Sequence, residues 1–204
     1  MGDADCAFEL LAGLLLELGA KDATAWVFLG DGGVWIWKRL ALLVELVGFD
    51  PARVTQVLDF YHAVEHVNEI QELFPAWSKA ERSRWRENVK SFLRRGDVQG
   101  LVFWIRSSLC EGPESTKVEA QLVYLLDNET RMDYGLFKRR RLPLGSGAIE
   151  SGSRRIINLR LKGNGIFWTL ANAEGVIHMR AELLSGRWNE FMRAVLQPEA
   201  KWAA

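Results

Sequence analysis

Cysteine is scarce in this chain: the sequence holds two, Cys6 and Cys110, too far apart to form a CxxC pair. That argues against a zinc knuckle and predicts a reduced, cytoplasmic protein. Long apolar runs are missing as well. Leu10 to Leu18 is too short to span a bilayer, is broken by Gly13 and Glu17, and lacks the basic flank of a signal peptide. Net charge is absent, with Lys+Arg and Asp+Glu equal at 26 each, so no bulk field steers the chain onto nucleic acid. Neither an internal repeat nor a low-complexity segment interrupts the sequence.

What remains is the composition of a folded domain. Hydrophobic residues make up 49% and charged residues 25%, and the length suits one domain, or one domain carrying an insertion. Tryptophan is abundant at 9 residues. Most are expected in the core, and only one exposed near basic side chains could stack on bases. Charge is distributed unevenly. Lys138, Arg139, Arg140, Arg141, Arg154, Arg155, Arg160 and Lys162 crowd into an interval whose only acid is Glu150. Such a run can be a solvated face or an electrostatic footprint for phosphates.

Periodicity and turn residues divide the chain. Cys6 to Leu18 reads as a helix closed by Gly19. Trp26 to Leu29 is a short apolar run of the buried-strand kind, ending in Gly30-Asp31-Gly32-Gly33. Trp35 to Val47 reads as a helix closed by Gly48, and Val54 to Leu58 as a second strand ending in Asp59. Strand, helix, strand predicts a parallel pair, which puts Asp31 and Asp59 on one sheet edge. From about Glu65 to Arg140 the pattern is helical. Ser78 with Glu81 forms a capping box for a helix reaching Gly96, Asp97 caps the next, and Thr116 with Glu119 repeats the box. Helices are also expected at Leu170 to Leu184 and after Trp188, with a frayed tail.

The segment from Pro143 to Arg155 is the most unusual. Gly145 and Gly147 permit positive φ and a close backbone approach at a helix entry. Glu150 falls in the first turn, where the helix dipole favours a carboxylate, and Arg154 stands at i+4. These residues fit a capped surface helix with an ion pair, or an acid poised for metal beside a phosphate-binding face. Asp31 likewise reads as a turn residue or as a ligand. If Asp31, Asp59 and Glu150 gathered, two carboxylates at about 4 Å would repel by roughly 4 kcal/mol at an effective dielectric near 20. A proton or a cation must offset that, and oxygen-only ligands favour Mg²⁺ or Mn²⁺. His62 and His66, at i and i+4, are a weak zinc signal without a third ligand.

Leu29 to Trp37 and Val57 to His66, followed in order by Arg131 to Tyr134, Gly145 to Ser151 and Arg160 to Gly163, resemble the bacterial insertion-sequence transposases of the Kra type. The resemblance covers about Phe8 to Trp188. It implies a DDE transposase: an α/β, mostly helical fold with a partial RNase H-like core and an all-helical insertion before the final acidic helix. On that reading 1–64 is partial core, 65–140 the insertion, 141–197 the helices carrying the third acid, and 198–204 a tail.

The resemblance implies that Asp31 and Glu150 are the second and third catalytic acids, binding Mg²⁺ or Mn²⁺. Asp59 and His62 would support them, in an Asp-x-x-His signature. Arg139, Arg140, Arg141, Arg154, Arg155, Arg160 and Lys162 would contact DNA, both transposon ends and target. The family's first acid lies on a strand upstream of the Asp31 block, and Asp3 and Asp5 are no substitutes. The expectation is therefore the C-terminal part of a transposase, inactive alone and prone to associate with itself or with an intact enzyme through an open strand edge. A non-catalytic DNA-binding or transposase-binding fragment is the alternative, and a small metal-dependent nuclease a further one.

Overall fold

The computed structural model of the chain describes residues 4–109 and 112–197. Cys110 and the expected tail lie outside them. The chain divides into two compact units, Met1–Ser146 and Gly147–Ala204.

The first unit begins with helix α1 (Ala4–Glu17), which ends before Gly19 in the left-handed conformation at φ 68°. Strand β1 (Trp26–Gly30), helix α2 (Val34–Val47) and strand β2 (Val54–Leu58) follow. The strands pair in parallel, Trp26 opposite Val54 and Gly30 opposite Leu58, as the strand–helix–strand pattern predicts. Gly48, at φ 69°, closes α2 by donating to the Glu45 and Val44 carbonyls. Alternation along the strands gives the sheet two apolar faces. Trp26, Phe28 and Val54 pack with Leu40, Leu43 and Val47 under α1 and α2. Leu29 and Val57 join the larger core.

That larger core is built by helices. They are α3 (Phe60–Asn68), α4 (Lys79–Arg95), α5 (Val98–Leu109), α6 (Ser115–Asp127) and α7 (Tyr134–Arg139). Both halves of the Ser78–Glu81 capping box form, and Gly96 ends α4 at φ 75°. Val89, Leu93, Leu101, Ile105, Leu122 and Leu125 are fully buried between these helices. Trp85 is 4% exposed and packs against Trp77 and Trp104, with ring centroids 5.3 and 4.8 Å away. The second expected box does not form. Helix α6 starts earlier, at Ser115, and Glu119 lies inside it, paired to Arg106 at 2.7 Å.

The second unit holds α8 (Gly147–Ser153), a π-helical turn (Arg154–Asn158), α9 (Leu159–Leu161), α10 (Leu170–Leu184) and α11 (Trp188–Leu196). Glu150 stands in the first turn of α8 as expected, and the repeat widens only from Arg154 onward. The Arg180 side chain ties α10 to this turn by donating to the carbonyls of Arg155 and Ile156. No described residue of this unit is buried, so its described residues form no hydrophobic core of their own.

Candidate functional site

Asp31 and Asp59 directly follow the last paired residues of the two strands, Gly30 and Leu58. The Asp59 amide donates to the Gly30 carbonyl at 2.8 Å and extends the ladder by one bond. Both acids therefore leave the sheet on its C-terminal edge, where open α/β sheets place ligands. Their side chains serve different purposes.

Asp31 is exposed, and its Oδ1 accepts the Gly33 amide at 3.0 Å. It opens onto a cleft of about 380 Å³ shared with His62, Glu65, His66, Glu69 and Tyr124. Gly32 shapes this wall: its φ is 94°, and a Cβ there would overlap the Tyr124 hydroxyl. His62 and His66 sit one turn apart on α3, each with its Nδ1 beside a glutamate, 3.6 Å from Glu65 and 3.7 Å from Glu69. Burial lowers the proton affinity of His66, which Glu69 partly restores. Tyr124 is pushed the other way, first by burial and then by the negative charge of Asp31 and Glu69. Sequence alone does not single out Glu69 and Tyr124. The i, i+3, i+4, i+7 spacing of His62, Glu65, His66 and Glu69 is the signal that places the α3 residues together.

Asp59 is 1% exposed. Its Oδ1 accepts the amides of Tyr61 at 2.7 Å and His62 at 3.2 Å, capping α3, and its Oδ2 accepts the Ser146 amide at 2.6 Å. Burial alone would raise its pKa. Hydrogen bonds from the Ser146 hydroxyl and amide, and from the His62 and Tyr61 amides, outweigh that and hold the carboxyl below its ordinary 3.8. The loop is tied at a second point, where the Phe60 amide donates to the Leu144 carbonyl at 2.8 Å. Gly145 has no positive φ. Its small size is what counts, because a Cβ there would meet the Tyr61 ring at 3.1 Å. Gly147 has neither a positive φ nor a close neighbour.

The Arg131 to Tyr134 block braces the same strand end. Arg131 donates to the Gln56 side chain at 2.7 Å and stacks over Trp37, and the buried Tyr134 hydroxyl donates to the Leu58 carbonyl at 3.0 Å. Burial, then the neighbouring Tyr124 and Asp59, raise the Tyr134 pKa. Glu150 lies in the first turn of α8 and is exposed. Arg139, Arg140 and Arg141 project at the end of α7, where Arg141 takes a left-handed φ of 59°. Those three, with Arg154, Arg155, Arg160 and Lys162, are all exposed. Trp168 is 41% exposed, six positions after Lys162.

Asp31 suits a hard divalent cation, being an accessible carboxylate at a strand end. Asp59 does not, because amides occupy both of its oxygens. Among the described residues no group of three or more His, Cys, Asp or Glu side chains is arranged to hold a metal ion. No helix among them is long and apolar enough to cross a membrane. No family model, curated protein or solved structure matches the chain.

Proposed function

We propose that this chain is the part of a DDE-type transposase that contributes the second and third acids, Asp31 and Glu150, on an RNase H-like frame. Acting by itself it engages DNA without cutting it. The observation that carries this reading is Asp31 at the C-terminal end of one of two adjacent parallel strands, open to a polar cleft. The ordered sequence blocks around it, through Glu150 and its flanking arginines, support the same reading. Asp31 and Glu150 would hold Mg²⁺ or Mn²⁺, which when bound stabilises charge at a phosphate and acidifies water. The seven exposed basic side chains hold the polynucleotide backbone, and Arg139 to Arg141 do so beside the loop that leads to Glu150. Cutting needs a further carboxylate, because Asp59 is committed to amides.

Two measurements test this. Fluorescence anisotropy with duplex DNA at low salt should show binding, and supercoiled plasmid with Mg²⁺ or Mn²⁺ should remain uncut. Absence of low-salt binding defeats the proposal, since phosphate contacts are strongest there. Plasmid cleavage that Glu150→Gln abolishes would instead establish a self-sufficient nuclease.

Self-association belongs to the same proposal. The Asp59-to-Gly30 bond fixes the parity of β1, so the Val27 and Leu29 amides and carbonyls face away from β2. No third strand pairs with them among the described residues. Val27, 37% exposed, sits mid-edge, and Val27→Lys should shift the sedimentation profile towards monomer. An unchanged profile would exclude this edge as the contact.

A further inference from the structure

We infer that Asp59 is a positioning residue: its carboxylate clasps the 142–146 loop and so fixes where the acid-bearing segment begins. Its use in strand transfer rests on the reading above, but the clasp stands on its own geometry. One carboxylate joins two elements 87 positions apart, with Oδ1 on the α3 amides and Oδ2 on the Ser146 amide. Ser146 adds its hydroxyl to the same carboxylate. Glu150 follows four positions later. The Phe60-to-Leu144 bond and the Tyr61 ring against Gly145 hold the same loop at two further points. A residue needed only to cap α3 would use one oxygen. The second oxygen is spent on the loop, and a charged acceptor makes that bond stronger than a neutral one would.

The chemistry separates the two roles. In Asp59→Asn the amide oxygen can still cap α3, while its NH₂ group confronts the donors of Ser146. Residue-resolved amide exchange on the full chain should show Ser146 exchanging at least tenfold faster in this variant, with Tyr61 and His62 unchanged. Equal loss of protection at all three amides, or no change at Ser146, would overturn the clasp. The wild type supplies a second readout that does not depend on the variant folding. The Ser146 amide proton shift should titrate with a midpoint below the ordinary aspartate value of 3.8. Tyr134, the ionisable group facing Asp59 from α7, stays protonated throughout that range. A Ser146 shift that is flat, or a midpoint at or above 3.8, overturns the proposal. Neither readout involves DNA or metal, so failure of the transposase reading and failure of the clasp remain distinguishable.

Discussion

Asp59→Ala is expected to cost about 3 kcal/mol of folding stability and to lower the melting temperature by roughly 6–12 °C. Two losses add. Removing the cap of α3 costs about 1 kcal/mol, and leaving the Ser146 amide without its acceptor costs about 1–3 kcal/mol more. The side chain is 1% exposed, so water does not readily replace it. The pH dependence carries the same signature. The folded pKa is depressed below 3.8, so the contribution is fully present above that value and is lost as pH falls through the folded pKa. Thermal melts should therefore show wild-type stability falling more steeply than that of Asp59→Ala below about pH 4. Parallel curves would mean that the carboxylate charge contributes nothing.

Local chemistry made much of the fold legible. Apolar runs ending in acids marked both strands, and Gly19, Gly48 and Gly96 take the left-handed conformations expected at helix ends. The capping box at Ser78 formed as its sequence predicts. The misses share a physical cause, which is that tertiary contacts leave no local period. Thr116 and Glu119 spell a capping box, yet Glu119 pairs with Arg106 on α5 and the helix begins a turn's fraction earlier. Tyr124 reads as one more apolar position in α6, yet its hydroxyl reaches the wall of the Asp31 cleft. Ser146 stands between two glycines, and only the folded chain brings it to Asp59. No local pattern marks the π turn that begins at Arg154.

The candidate acids divide along the same line. Sequence put Asp31 and Asp59 at equivalent strand ends, and the parallel register confirms that equivalence for the backbone. Their side chains diverge because the residues after them differ. Gly32 and Gly33 leave Asp31 exposed beside Tyr124, whereas Phe60 and Tyr61 begin a helix whose amides take up the Asp59 carboxylate. The Asp59 carboxylate is thereby spent on the amides of Tyr61, His62 and Ser146.

Reversing the charge of the α7 terminus, with Arg139→Glu, Arg140→Glu and Arg141→Glu together, is expected to weaken duplex DNA binding more than about a hundredfold at low salt. The three side chains are exposed, so the change acts on the electrostatic field and spares the core. If all seven basic side chains contact phosphates, the logarithm of affinity should fall with the logarithm of salt at a slope of about −6. Binding would then drop by roughly a thousandfold or more between 50 and 200 mM. The triple variant removes three of those contacts and should flatten the slope by about 3. Chain neutrality makes this a stringent test. With 26 basic and 26 acidic residues, only a local cluster can produce so steep a dependence. Anisotropy titrations across salt, with circular dichroism to confirm an unchanged helical signal, would measure both quantities. A slope near zero in the wild type would remove the phosphate-contact role from all seven residues.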